Sequence, residues 1–386
     1  MSLSHNSHFI HFLKNKEMNL LYLAIFFITL GDALISVFVP IYLYQLGYQV
    51  TQILYFYLLV SIFFVTFSIL GAKITSRFGE KHSMIISTPF AILFYIGLIF
   101  MNSKSFLLFY FLPLFMAFRA LLFNYGFHLN FINHSNKNKT GNQFAFIQTI
   151  ALLSTVVSPY IGSLIAELNF AFLFIISAII MTIGIIPLLL TQDKCEKIDF
   201  DSNSIFKTIK SKKNRGNIIS FCAYSMEASI GRIIWPIFLI IIIGELSKTG
   251  FIVSASMFIS LMAFYVIGKI TDKINKIKLI RFGTLLYFFG WIGRIFANTG
   301  FKIFFIDSYK NLSEKLVSIP FFSHSYDMAK KRKKYFEFVV YREIVFNLIR
   351  IIMIPILIVI FYINFQPFIL SFLIASIFTA GYIFMD

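Results

Sequence analysis

The sequence predicts an all-α membrane protein of twelve transmembrane helices in two pseudo-symmetric six-helix bundles. Three observations predict it. The first is composition: 58% of the 386 residues are apolar and only 13% are charged, about half the usual charged share of roughly 25% in soluble domains. The second is twelve continuous apolar runs, each close to the ~20 residues that cross a bilayer. The third is a resemblance between the two halves at an offset of about 195 residues.

The runs lie near 19–44, 51–72, 83–101, 105–128, 143–166, 169–191, 217–243, 250–268, 279–297, 300–323, 337–362 and 365–385. They are continuously apolar and not alternating, which excludes a transmembrane β-barrel. No small-residue cleavage site follows Lys14 and Lys16, so the first run reads as an anchor and not as a removed signal peptide. The composition also excludes a disordered chain and an ordinary soluble enzyme. Cys195 and Cys222 are the only cysteines, too few for a disulfide framework or a thiolate cluster.

The net charge is +17. With the amino terminus on the cytoplasmic side, the inner segments hold 24 of the 34 Lys and Arg residues and the outer loops hold three, Lys104, Lys248 and Lys302. That bias predicts a multi-pass protein of the cell (cytoplasmic or inner) membrane with both termini cytoplasmic. The basic excess is therefore read as a topology signal, with attraction to lipid headgroups second. No nucleic-acid partner is expected; Lys330-Lys331-Arg332-Lys333-Lys334 is a loop between spans. The longest polar stretch divides the chain into a bundle over 1–191, a linker over 192–216 and a bundle over 217–386. Within the linker, 202–212 reads either as a surface helix with Ile205, Phe206 and Ile209 inward or as a flexible connection.

The repeat is carried by particular residues. Asp32 and Glu227 match at offset 195 and Pro40 and Pro236 at 196; Gln148 and Glu343 match at 195 and Pro159 and Pro355 at 196. An acid followed eight or nine residues later by proline is unusual inside an apolar span. Its recurrence at the repeat spacing suggests paired bundles around a midplane site.

A second repeated feature follows the second span of each half. The first copy runs Gly71-Ala-Lys-Ile-Thr-Ser76-Arg77-Phe-Gly79-Glu-Lys81, the second Gly268-Lys-Ile-Thr-Asp272-Lys273-Ile-Asn275-Lys276. The pattern resembles G-x-x-x-D-R-x-G-R-K, the loop motif between spans 2 and 3 of the major facilitator superfamily, with its echo between spans 8 and 9. The resemblance covers the whole chain. The first copy has Ser76 at the Asp position and Gly71 one residue too far away; the second has Asn275 where glycine stands in the family. The resemblance implies a cytoplasmic clasp of Gly71, Arg77, Gly79, Lys81, Gly268, Asp272, Lys273 and Lys276. The competing reading is a tight basic turn. The resemblance also implies that spans 1, 4, 7 and 10 line a central cavity.

The charges inside the spans fit that cavity. Each costs roughly 2.5–3.5 kcal/mol at the bilayer centre on insertion scales and so seeks a partner or water. Span 1 holds Asp32, span 4 Arg119, span 7 Glu227 and Arg232, and span 10 Asp307, Lys310, Glu314 and Lys315; span 9 adds Arg294, and span 11 adds Arg342, Glu343 and Arg350. Helical spacing aligns Thr29, Asp32 and Ser36; Ser220, Tyr224, Glu227 and Gly231; Asp307, Lys310, Glu314 and Ser318; and Glu343, Asn347 and Arg350. The candidate cavity residues are thus Asp32, Ser36, Arg119, Gln148, Glu227, Arg232, Arg294, Asp307, Lys310, Glu314 and Glu343. Asp32 and Glu227 are the candidate coupling acids, because a carboxylate's proton affinity rises in a dry site and falls beside a cation. Arg119, Arg232 or Arg294 would supply the counter-charge or hold an anionic substrate group. The competing reading is a set of fixed interhelical ion pairs. Pro40 and Pro236 should kink spans 1 and 7.

H-E-x-x-H, G-x-S-x-G and Walker A patterns are absent, so neither an enzyme nor an ATP-driven pump is expected. No metal or cofactor is expected, His5, His8 and His11 being in the amino-terminal tail. The sequence therefore predicts a secondary active transporter, expected to be a proton-coupled monomer, moving a small solute by alternating access. Uptake and export both remain open. The alternative is a transporter-like receptor or scaffold, or an intramembrane enzyme.

Overall fold

The structure is a computed structural model. It describes residues 16–134, 140–191, 199–210, 214–332 and 334–385; within these, the side chains of 16–18, 134, 140–152, 206, 209, 210, 263–265, 268, 269 and 272 are outside the description.

All twelve expected spans are helical. Span 1 is Asn19–Gln45. Spans 2 and 3 share Val50–Ile99 and part at Gly79, whose φ of 84° and ψ of 170° break the helix. A left-handed φ strains most side chains and suits glycine. Span 4 is Phe106–His134, span 5 Thr140–Leu168 and span 6 Phe170–Leu189. Span 7 covers Arg215–Ile243 and ends at Gly244, again left-handed with φ 80°. Spans 8 to 12 follow as Leu246–Lys273, Lys276–Gly293, Gly300–Lys330, Tyr335–Ile363 and Pro367–Thr379. Asn169 caps span 6 by accepting from the Ala171 N–H at 2.8 Å, and Asn275 caps span 9 by accepting from Ile277 N–H at 2.9 Å. An amide oxygen satisfies a helix's first free N–H groups, and this gives Asn275 a task at the position where the family motif has glycine.

The lipid-facing surface is visible in span 6. Phe172, Ile175, Ile179, Ile183, Ile186 and Leu190 recur every three or four residues and are all exposed. A stripe of this kind suits hydrocarbon and would be an aggregation surface in water. Span 10 is polar by comparison, with Asp307, Lys310 and Asn311 buried.

Both prolines interrupt the regular α-helix, and each does so where chemistry dictates. Proline lacks the N–H that would bond the carbonyl four residues back. For Pro40 that carbonyl belongs to Ser36, and the helix is interrupted between Ser36 and Phe38. For Pro236 it belongs to Arg232, at the centre of a one-turn π segment, Ile230–Ile234.

Spans 1–6 and 7–12 pack as two bundles, and spans 5 and 8 meet across the interface. There a Cβ on Gly250 would stand 2.3 Å from the Pro159 carbonyl oxygen. The Tyr160 N–H donates across the interface to Ser254 Oγ at 3.0 Å. Small residues allow this close approach, as in other membrane helix pairs.

Both linker alternatives were open on sequence; the structure shows a helix, Ser202–Lys210, with Ile205 buried. The Asp201 N–H donates to Glu337 Oε1 at 3.0 Å and Lys334 pairs with Asp201 at 2.6 Å, which ties the linker to the start of span 11. The Lys334 ammonium holds the exposed Asp201 carboxyl below the usual carboxylate range, and Asp201 in turn raises Lys334.

Candidate functional site

Span 1 places Asp32 opposite span 4. Arg119 Nη2 donates to Asp32 Oδ2 at 2.5 Å, and the Tyr95 hydroxyl of span 3 donates to Oδ1 at 3.1 Å. The Arg119 guanidinium also lies 4.2 Å from the Phe123 ring centroid, a cation–π distance. The Arg119 side chain is 9% accessible and the Asp32 side chain 40%. Asp32 is thus held by neighbours from two spans and still reaches an open space. Ser36, one turn further along, is exposed on the same stripe.

The second bundle repeats the arrangement. Glu227 of span 7 accepts from the Tyr287 hydroxyl of span 9 at 2.6 Å and from the Tyr382 hydroxyl at 3.0 Å, and it is buried. Lys310 of span 10 joins the same cluster, its Nζ 5.4 Å from the Tyr287 ring centroid. Acid, tyrosine and cation therefore come from the first, third and fourth spans of each half: Asp32, Tyr95 and Arg119 in one, Glu227, Tyr287 and Lys310 in the other. Their offsets are 195, 192 and 191 residues.

The two triads differ in one respect. Arg119 bonds Asp32 directly, whereas Lys310 bonds Glu314 at 2.7 Å, and Lys315 bonds Glu314 at 3.1 Å. Among the described residues no cation stands within ion-pair distance of Glu227. Lys310 sits tightly against span 9, where a Cβ on Gly290 would lie 3.1 Å from the Lys310 Cα.

Asp307 takes a different partner from Lys310. Arg294 bonds it at 2.5 Å, with both residues buried. The Arg294 guanidinium lies 3.8 Å from the Trp235 ring centroid and 4.5 Å from that of Trp291. This pair is sealed among spans 7, 9 and 10.

Glu343 of span 11 joins the bundles. It lies 3.1 Å from Arg342 Nη2 and 3.4 Å from His128 Nε2, and it accepts from Asn124 Nδ2 at 3.3 Å. The other ring nitrogen of His128 is 2.6 Å from the Tyr326 hydroxyl of span 10. With Nε2–H donating to Glu343, Nδ1 accepts the Tyr326 proton. Spans 4, 10 and 11 are thereby tied together on the membrane side that carries the linker. Arg232 is exposed in the middle of span 7. The side chain of Gln148 and the surroundings of Gly268 and Asp272 lie outside the described residues.

The loop motif braces each half internally. A Cβ on Gly71 would overlap Leu121 of span 4. Lys81 donates to the Thr191 carbonyl at 2.6 Å, while Arg77 and Lys273 are exposed. Glu80 accepts from Asn130 at 3.0 Å and Asn133 at 2.7 Å, at the end of span 4. At the matching place in the other half, Lys276 pairs with Asp327 at 2.5 Å, at the end of span 10. In one half a loop acid meets two amides and in the other a loop lysine meets an acid, but each loop grips the fourth span of its own bundle.

Sequence reasoning missed Tyr95, His128, Tyr287, Tyr382, Glu80 and Asp327 as site residues. The 192-residue offset of Tyr95 and Tyr287 was the available signal.

The fold defines a multi-pass helical membrane protein built from two related bundles. The Major Facilitator Superfamily model matches residues 21–309. The chain belongs to the major facilitator superfamily. In shape it is similar to a crystal structure of the E. coli fucose:proton symporter, with a TM-score of 0.67 and 13% sequence identity, covering 95% of this chain and 97% of that one. At that identity the likeness shows the fold. No curated protein matches the sequence.

Proposed function

We propose that the protein is a proton-coupled secondary transporter that moves a small solute across the cytoplasmic membrane by rocking its two bundles. The observation that carries this reading is the acid–tyrosine–cation triad repeated in the two bundles. A solute-gated rearrangement needs charges whose partners can be exchanged, and each triad has such an acid. Asp32 is paired but reaches an open space, so a solute or a water can compete for Arg119. Glu227 is held by two neutral hydroxyls, so it can take up or release a proton without first breaking an ion pair. The linker side is read as cytoplasmic from the excess of Lys and Arg in its segments. The name of the similar symporter agrees with proton coupling.

The test uses protein reconstituted in liposomes loaded with a pH-sensitive dye. A panel of sugars, amino acids, organic acids and phosphate esters is added in turn. The reading expects at least one solute to move protons across the membrane, in protein-containing liposomes only. Solute uptake that leaves the internal pH unchanged, at every imposed gradient, contradicts coupling; a panel that moves nothing contradicts transport.

A further inference from the structure

Arg232 lies at mid-span on the π segment of span 7, and its side chain is exposed. At that depth exposure means either lipid or a wet cavity. Its neighbours decide the matter. Arg232 Nη2 reaches the Tyr224 hydroxyl at 3.4 Å. The π segment that carries it touches the Val50–Ile99 helix of the other bundle, and the Tyr224 ring lies 4.7 Å from that of Phe346 on span 11. These groups come from both bundles, so Arg232 faces the space between them.

Arg350 lies at similar depth in span 11 and is half-buried. Its Nη1 donates to Asn347 Oδ1 at 3.3 Å, while its Nε is buried without an acceptor. Three other arginines of the spans are neutralised: Arg119 by Asp32, Arg294 by Asp307 and Arg342 by Glu343. Among the described residues, neither Arg232 nor Arg350 has a carboxylate within ion-pair distance. Both lie beside Tyr224 instead: Arg232 bonds its hydroxyl, and Arg350 is one helical turn beyond Phe346, on which the Tyr224 ring packs. Two like charges in a medium of low dielectric oppose folding, and a single-turn π segment is a feature found frequently at functional sites.

We propose that Arg232 and Arg350 form an anion clamp for the transported solute, which therefore carries a carboxylate or phosphate group. This rests on the transporter reading above and names the chemistry of its substrate. A guanidinium offers parallel N–H donors that match two oxygens of either anion. A bound anion gives the free Nε of Arg350 an acceptor and cancels the repulsion between the two arginines. Tyr224 and Asn347, each beside one arginine, supply polar atoms for the rest of the solute.

The test is equilibrium binding to the purified full-length protein in detergent, at constant ionic strength. The probes are sodium succinate, sodium citrate, inorganic phosphate, glycerol 3-phosphate and, as a neutral comparator, L-fucose. At least one anion is expected to raise the melting temperature saturably, and the carboxylate and phosphate arms show which class is preferred. Arg232→Gln and Arg350→Gln should each weaken that binding tenfold or more, and Arg281→Gln, at an exposed position outside the cavity set and the loop motif, should leave it unchanged. Should a glutamine variant fail to fold, Arg232→Lys and Arg350→Lys keep the charge but lose the fork, and weaker binding than wild type is again expected. The clamp is overturned if no anion binds, if L-fucose alone binds, or if folded arginine variants bind like wild type. Binding needs neither gradient nor turnover. An anion bound but never transported contradicts the transporter reading alone, whereas pH-linked transport of neutral solutes only contradicts the clamp alone.

Discussion

His128 Nε2 on span 4 stands 3.4 Å from the Glu343 carboxylate on span 11, a direct link between the two bundles. Glu343 also holds Arg342, so one carboxylate serves a guanidinium, an imidazole and an amide. Removing one partner of a buried charge pair costs about 3–5 kcal/mol. A fraction of that, applied to only one conformation, moves a two-state equilibrium many-fold.

Glu343→Gln should therefore loosen the linker side. Spin labels at the exposed positions Asn133 and Lys331 would report it by pulsed electron resonance. A longer-distance population is expected in the variant, and an unchanged distance distribution would show that the pair carries no gating load.

Gly250 should be intolerant of a side chain. Its Cβ would meet the backbone carbonyl of Pro159 at 2.3 Å and Ser163 Cβ at 2.6 Å, and backbone cannot step aside as a side chain can. Gly250→Ala is expected to cost about 1–3 kcal/mol, the usual range for overpacking, seen as a lower thermal midpoint. A midpoint equal to wild type would mean that spans 5 and 8 are not pressed together at this point.

The linker clasp should respond to acid. Asp201 has its carboxyl lowered by Lys334, so its contribution is complete above the ordinary carboxylate range and is lost as pH falls through the lowered value. Lys334 is raised by Asp201, so its contribution is complete below the ordinary lysine range and is lost as pH rises through the raised value. The clasp should hold across neutral pH. Hydrogen exchange in 199–210, corrected for the intrinsic effect of pH, should show less protection at pH 3 than at pH 7. Lys334→Gln should show the reduced protection already at pH 7.

Much of the architecture was legible because a bilayer leaves few choices. Twelve apolar runs had to be helices, since hydrocarbon leaves no other partner for their backbone groups. Pro40 and Pro236 had to disturb the turns before them, and both do. The intramembrane charges announced themselves by cost, and Asp32, Arg119, Glu227 and Lys310 indeed gather into two triads. What could not be read was pairing. Lys310 is spaced to reach Asp307 or Glu314, and only the packing of span 9 decides, because Arg294 takes Asp307 from outside span 10. The tyrosines were hidden for another reason: 19 of them occur in a chain rich in aromatics, and a hydroxyl that meets an acid looks in sequence like one that meets lipid. The clasp of Lys276 with Asp327 was missed because it joins a loop to the far end of another span.

The two acids should fail differently when neutralised. Asp32→Asn leaves Arg119 without its counter-ion, and losing a hydrogen bond to a charged group costs about 1.5–3 kcal/mol, so a lower thermal midpoint and weakened solute binding are expected together. Glu227→Gln keeps a group that can still accept from Tyr287 and Tyr382, so its stability should be nearly unchanged.

The central claim is that Glu227 couples proton movement to the rocking of the bundles. The most direct measurement compares pH-driven accumulation with solute exchange in liposomes containing Glu227→Gln, using the solute found in the dye screen. The account predicts that exchange at equal pH persists at near wild-type rate while accumulation against a gradient disappears; accumulation by Glu227→Gln to the wild-type level would contradict it.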